Sequence, residues 1–266
     1  MPSKIIENNF RVNRLPHIWC PGCGHGILMH SIAMAIEELN LDKDKVCIVS
    51  GIGCSSRSSG YLNYNTVHTT HGRALSFATG IKLADPSLHV IVITGDGDCT
   101  AIGGNHLIHS CRRNIDITTI VFNNDTYGMT GGQYSPTTNT GDKATTAPYG
   151  NIDRPFDICD LSAAAGATFV ARGSVYHVNQ MLKYTKSAIA HKGFSVVEGL
   201  SVCPTYYGRK NKKGSAIELI NEIKANTIIS NDLTASKEKN KIAIGIFKDI
   251  QQPEYTEEYK KIMERF

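Results

Sequence analysis

Short apolar runs and amphipathic stretches alternate along this chain. Over residues 25–39, Leu28, Ile32, Ile36 and Leu39 recur on one stripe with further apolar residues beside them, which predicts a largely buried helix. Residues 45–50 read as a strand and 51–57 as the loop at its carboxyl end, and a helix through Ala84 closes at Asp85-Pro86. An apolar run over 90–93 follows, then a turn at Gly95-Asp96-Gly97-Asp98, helix-compatible residues to Arg113, and a second apolar run over 117–122 ending at Asn123-Asn124. Two short β-branched runs joined by such a helix form a βαβ unit, with parallel strands and a right-handed crossover. A long loop without periodicity occupies 125–155. Helix is predicted again over 157–165, strand over 168–171, helix over 175–191 with Val178, Leu182 and Ile189 inward, and a last strand over 194–200. A capping box at Ser215 and Glu218 opens a helix to about residue 228, residues 231–251 combine a charged stretch with an apolar run over 242–247, and 253–266 read as a terminal helix. Residues 1–15 carry no usable pattern. The expected fold is α/β, a mostly parallel sheet with helices on both faces, formed by residues 1–208 and continued by a charged helical extension over 209–266.

Charge changes this picture in one respect. Residues 1–208 carry 16 Lys/Arg and 15 Asp/Glu, whereas 209–266 carry 12 and 9. The body is charge-poor, which points to coverage by another subunit, and the tail reads as solvated. A net charge of +4 is too slight to suggest nucleic acid. There is no long apolar stretch behind the first positive charges and no run of about 18 apolar residues anywhere, so neither a signal peptide nor a membrane span is expected. The cytoplasm is then the expected compartment, where cysteines serve as ligands or core residues more than as disulfides.

The strongest chemical signal is the βαβ unit. Asp96 and Asn124 emerge at the carboxyl ends of adjacent parallel strands, where open α/β sheets bind ligands. Gly95 and Gly97 permit a tight turn and close approach to a phosphate. A carboxylate between two glycines would repel a bare diphosphate unless a hard cation sits between them, and Asp and Asn oxygens with water and phosphate are the ligand set of Mg²⁺. Gly-Asp-Gly followed at a distance by Asn-Asn resembles the thiamine diphosphate motif, which implies Asp96, Asn124 and the Thr126 carbonyl as metal ligands. The glycine-rich loop 125–155 is placed to wrap such a cofactor. His71, Gly72 and Arg73 precede a helix whose amino terminus suits phosphate.

Four of the eight cysteines lie in loops beside glycine or proline: Cys20 and Cys23 in Cys-Pro-Gly-Cys, Cys54 after Gly53, and Cys203 before Pro204. Cys47, Cys111 and Cys159 fall inside regular elements, where small buried hydrophobes belong, and Cys99 reads as packing. Four loop thiolates fit either a zinc site or a [4Fe-4S] cluster. Oxidising the intermediate left when a 2-oxo acid loses CO₂ on thiamine needs a nearby electron acceptor, which a cluster provides and zinc does not.

The strings Cys-Pro-Gly-Cys-Gly, Ile-Gly-Cys-Ser, Thr-His-Gly-Arg-Ala, Gly-Asp-Gly-Asp, Ile-Gly-Gly-Asn-His, Tyr-Gly-Met-Thr-Gly-Gly-Gln and the late Cys-Pro, spread over residues 10–210, together resemble β subunits of 2-oxoacid:ferredoxin oxidoreductases, most closely the two-subunit 2-oxoglutarate type. The resemblance implies a thiamine diphosphate-binding fold, with Cys20, Cys23, Cys54 and Cys203 holding the cluster and Asp96, Asn124 and Thr126 holding Mg²⁺. It places Gly53, His71, Gly72, Gly95, Gly97, Asp98 and Gly128 around the cofactor, Met129 beside it, and Arg57 near the substrate. It implies conversion of 2-oxoglutarate and CoA to succinyl-CoA, CO₂ and reduced ferredoxin. It also implies an α subunit that completes the pyrimidine half-site and ferredoxin or flavodoxin as acceptor. Pyruvate or a branched-chain 2-oxo acid as substrate, and a non-redox thiamine enzyme, are the alternatives. The basic run over 209–213 reads as a solvated loop or as a dock for an acidic carrier.

Overall fold

Val46–Ser50 (β1), His89–Gly95 (β3), Thr118–Asn123 (β4), Phe169–Ser174 (β5) and Ser195–Leu200 (β6) form the buried middle of a sheet, and their sequences are runs of β-branched and small residues suited to burial on both faces. The computed structural model describes residues 4–235 and 240–266. Among these residues the sheet has eight strands in the order β2-β1-β3-β4-β6-β5-β8-β7, where β2 is Asn65–His68, β7 is Thr227–Ile229 and β8 is Ile242–Asp249. All pairings are parallel except that of β8 with β5.

Alternation along each strand divides the core in two. Ile91, Ile93, Ile48 and Phe122 join Leu28, Ile32 and Ile36 of α2 (His25–Glu38) and Met181 and Ala188 of α8 (Val178–Ala190) on one face. Val90, Val92, Val49 and Val121 join Ala74, Leu75 and Ala78 of α4 (Ala74–Ala84), Leu107 and Cys111 of α6 (Gly104–Arg113), and Ile158 and Cys159 of α7 (Ile158–Ala164) on the other. The expected doubly covered sheet is therefore present, and Cys47, Cys99, Cys111 and Cys159 are core residues. In α8 the buried face is Met181, Tyr184, Ala188 and Ile189; Val178, expected inward, is 39% exposed at the first turn.

The carboxyl-terminal extension departs from its expected helical form. The capping box opens a helix at Ala216–Asn226 (α9), and a helix at Tyr255–Met263 ends the chain, but the Ile242–Phe247 run is a sheet strand. β8 runs antiparallel to β5 and covers Arg172, whose guanidinium lies over the Phe247 ring. An otherwise open sheet edge supplies the backbone partners that an isolated apolar run lacks. Part of the charged stretch expected within 231–251 falls on 236–239, outside the described residues. Two short helices were not legible, α1 (Lys4–Asn9) and α3 (Ser58–Tyr61), nor was β2, a four-residue edge strand with no buried residue. Among the described residues no helix is long and apolar enough to cross a membrane.

Candidate active site

The register aligns the carboxyl ends of four neighbouring strands, with Ser50 opposite Ile93, Gly95 opposite Phe122, and Asn123 opposite Leu200. Cys54, Asp96, Asn124 and Cys203 each follow one of these ends within a few residues. They line or border one cavity of ≈ 280 Å³ walled by Gly53, Cys54, His71, Gly95 to Asp98, Asn124 and Thr126 to Thr130.

Asp96 opens a helical turn, α5 (Asp96–Thr100), and its carboxylate is buried. Burial pushes its pKa up to about 6, against the hydroxyls of Ser135 and Thr137, which donate to Oδ2. The other oxygen has a different environment. Asn124 Oδ1 lies 3.3 Å from Asp96 Oδ1 and 2.9 Å from the Thr126 carbonyl oxygen, so three acceptors face one another. Rotating the amide would turn these contacts into hydrogen bonds, but octahedral Mg²⁺ at about 2.1 Å from each ligand sets neighbouring oxygens about 3 Å apart. The donor set and its spacing thus fit a small hard cation.

The segment after Asn124 folds back over the Gly-Asp-Gly turn. Tyr127 donates from its hydroxyl to the Gly97 carbonyl at 3.1 Å, and a Cβ on Gly97 would stand 2.2 Å from the ring, so any other residue there would have to displace it. The next residue, Gly128, meets the sulfurs: its Cβ position is 3.3 Å from Cys54 Sγ and 3.7 Å from Cys203 Sγ. Cys20 and Cys23 reach the same place through local ties. Trp19 Nε1 donates to the Cys54 carbonyl at 2.6 Å, the Gly24 amide donates to the Val202 carbonyl, and Gly22 turns at φ +80° against Ala216 and Pro204. Burial first, and the neighbouring cysteine sulfurs second, push the Cys23 thiol up to about 12 and the Cys54 thiol up to about 11. Positive charge bound among them is what would hold all four as thiolates.

The remaining candidates divide. Gly53 and Gly95 line the cavity, and Met129, 46% exposed, stands at its rim. Asp98 lines it too, yet its carboxylate is bound by the Gly72 amide at 2.6 Å, the Ile52 amide at 3.3 Å and the Thr94 hydroxyl at 2.7 Å. It braces two loops and the end of β3, and Gly72 contributes through that bond without lining the cavity. His71 Nδ1 is 2.6 Å from Asp98 Oδ1, off hydrogen-bonding alignment. Arg57 is not brought in: it is exposed, outside the lining, with its guanidinium toward Gly60. The sequence did not single out Tyr127, Ser135 or Thr137. The first lies in a motif recognised only as a string, and the others have no signal before the fold brings them in.

Below the floor lies a buried ionic network. Arg172 pairs with Glu198 and Asp157, each at 2.6 Å, and Cys159 lies 3.4 Å from Glu198. Asp157, Cys159 and Glu198 form the one group of three His, Cys, Asp or Glu ligand atoms mutually within 4.8 Å among the described residues, and Arg172 already neutralises it. Glu198 accepts at 2.8 Å from Asn123, which anchors the residue before Asn124.

Comparison with known proteins agrees with this geometry. Residues 51–199 match the family model of the thiamine pyrophosphate enzyme, C-terminal TPP binding domain. The 2-oxoglutarate synthase subunit KorB of Methanocaldococcus jannaschii is 53% identical over 258 residues, 96% of each chain. That of Archaeoglobus fulgidus is 49% identical over 95% of this chain and 92% of its own. The solved 2-oxoglutarate:ferredoxin oxidoreductase from Magnetococcus marinus, with 2-oxoglutarate, coenzyme A and succinyl-CoA bound, superposes with a TM-score of 0.89 at 33% identity, over 100% of this chain and 91% of that one. With the thiamine pyrophosphate domain and near full-length likeness to these subunits, the chain belongs to the KorB family of 2-oxoglutarate synthase subunits.

Proposed function

We propose that this chain is the cofactor-carrying β subunit of a two-subunit enzyme converting 2-oxoglutarate and CoA to succinyl-CoA and CO₂, with electrons passing singly to ferredoxin. The observation that carries this is the loop 124–128, which presents Asn124 and Thr126 to an all-oxygen site and, two residues on, packs Gly128 between the Cys54 and Cys203 sulfurs. Thiamine diphosphate, when bound, supplies the nucleophilic carbon and electron sink for decarboxylation, and a [4Fe-4S] cluster supplies a one-electron acceptor beside it. Asp96 Oδ1, Asn124 Oδ1 and the Thr126 carbonyl would hold Mg²⁺, and Gly95 and Gly97 would let the backbone approach the diphosphate. Tyr127 seats the covering loop, and Cys20, Cys23, Cys54 and Cys203 hold the cluster.

The choice of cluster over zinc rests on redox chemistry: zinc accepts no electron, and oxidation of the decarboxylated intermediate needs an acceptor nearby. An α partner is supported by two features. No glutamate appears among the described residues lining the cavity, and Tyr149, Ile152 and Phe156 are 98%, 90% and 51% exposed on the loop beside it. The test is an anaerobic assay of the co-purified two-subunit complex with CoA and a viologen dye. Dye reduction fastest with 2-oxoglutarate is expected. Faster reduction with pyruvate or 2-oxoisovalerate overturns the substrate, and no reduction by a complex holding both cofactors overturns the reaction.

A further inference from the structure

The turn Ser135-Pro136-Thr137-Thr138 does more than touch Asp96: its three hydroxyl residues are 1%, 4% and 1% exposed. Two of them converge on one atom. Ser135 Oγ lies 2.5 Å and Thr137 Oγ1 2.8 Å from Asp96 Oδ2, and the two hydroxyl oxygens are 3.0 Å apart. Each hydroxyl has a single proton; both hydroxyls reach Oδ2, and Thr137 also has Asn123 Oδ1 within donating reach at 3.1 Å, so Asp96 holds the shorter of its two contacts. Oδ1 receives neither and faces Asn124 and Thr126.

The turn is itself held in place. Thr138 Oγ1 accepts from the Ser135 amide at 2.8 Å and donates to the Asp125 carbonyl at 2.6 Å. Thr137 Oγ1 also rests 3.1 Å from Asn123 Oδ1, whose amide nitrogen is fixed by Glu198 and, behind it, Arg172. The consecutive asparagines therefore have separate tasks. Asn124 turns its oxygen toward the cation position, and Asn123, fixed by Glu198, offers the Thr137 hydroxyl a second, longer acceptor beside Asp96.

We propose that Ser135 and Thr137 are positioning residues that occupy Oδ2 of Asp96, so that the carboxylate offers the metal one oxygen only. The proposal rests on the metal site proposed above. The consequence is selectivity by size. Ca²⁺ takes six to eight oxygens, commonly with a carboxylate bound through both, whereas Mg²⁺ takes six at shorter distance and one per carboxylate. With Oδ2 engaged by two hydroxyls, two-oxygen binding requires breaking at least one of those hydrogen bonds. One-oxygen binding leaves both in place.

The test measures Mn²⁺ binding by electron paramagnetic resonance to the two-subunit complex stripped of divalent metal and supplied with thiamine diphosphate, with Mg²⁺ and Ca²⁺ affinities taken from competition. Thr137→Val, close to isosteric, and Ser135→Ala should each weaken Mn²⁺ and Mg²⁺ binding about ten- to a hundredfold, the usual effect of losing a partner behind a ligand. The double variant should also narrow the preference for Mg²⁺ over Ca²⁺, and Thr137→Ser should restore both. Wild-type affinity and preference in Thr137→Val and Ser135→Ala overturn the proposal. A wild-type complex that binds no Mn²⁺ overturns the metal site and this inference with it, which separates the two failures. Should one variant not fold, as its melting curve would report, the other decides.

Discussion

Replacing Gly97 by alanine probes how the loop after Asn124 sits on the diphosphate turn. The added carbon would stand 2.2 Å from Tyr127 Cε1 and 2.3 Å from Cζ, where carbon pairs prefer about 3.5–4.0 Å. The ring must retreat by more than about 1 Å to reach that range. It takes with it the hydrogen bond to the Gly97 carbonyl and pulls on neighbours that hold other contacts, Thr126 at the oxygen site and Gly128 at the sulfurs. One lost hydrogen bond costs about 1 kcal/mol and overpacking about 1–3 kcal/mol, together about 2–4 kcal/mol. If binding must restore the loop, thiamine diphosphate affinity falls about thirty- to seven-hundredfold, at 1.4 kcal/mol per factor of ten. Calorimetric titration of the stripped complex with thiamine diphosphate in excess Mg²⁺ reads this directly. Gly97→Ala combined with Tyr127→Ala should lose less than the sum of the two single variants, because removing the ring removes the clash. Wild-type affinity in Gly97→Ala, or strict additivity in the pair, refutes the seating of the loop by Tyr127.

Other consequences follow from particular contacts. Glu198 accepts from Arg172 on one oxygen and from Asn123 on the other, so Glu198→Gln sets an amide against a donor and leaves Arg172 short of its buried partner. A loss of about 3–5 kcal/mol is expected, a fall in melting temperature of about 6–20 °C; a shift under about 2 °C contradicts it. Burial alone would raise the Asp116 carboxyl, but Lys82 at 2.6 Å and Lys192 at 3.2 Å outweigh it and hold the pKa below its ordinary value. The stability this contributes is present above the unfolded-chain pKa near 4 and is lost as pH falls through the lower folded value. Lys82→Met should therefore flatten the acid limb of melting temperature against pH, and parallel curves would refute the pairing. Cys203→Ser should abolish bound iron and visible absorbance while thiamine diphosphate is retained, whereas Cys99→Ser, at a buried packing position, should keep its iron.

Much of this was legible where local pattern and chemistry coincide. The βαβ unit, the strand ends at Asp96 and Asn124, and the four loop cysteines are written in short strings, and the alternating strands placed them at one edge. Elements whose form depends on a neighbour were not legible. The Ile242–Phe247 run becomes a strand because β5 offers it an edge, and Asn65–His68 pairs only with β1. The hydroxyls of Ser135 and Thr137 sit some forty positions from Asp96 and acquire meaning only when the loop folds back. Asp98 is placed at the cofactor by the family resemblance, and its bonds to the Gly72 and Ile52 amides, which come from other loops, had no local signal. Arg57 was placed near the substrate by the family resemblance alone, and in this chain its side chain is exposed.

In the proposed reaction the oxygen site and the sulfur site, joined by loop 124–128, act as one electron path. Low-temperature electron paramagnetic resonance of the anaerobic two-subunit complex, frozen after mixing with 2-oxoglutarate and CoA without external acceptor, tests it most directly. A reduced iron-sulfur signal that depends on both 2-oxoglutarate and bound thiamine diphosphate is predicted. A cluster that dithionite reduces but 2-oxoglutarate leaves silent, in a complex holding thiamine diphosphate and Mg²⁺, would contradict it.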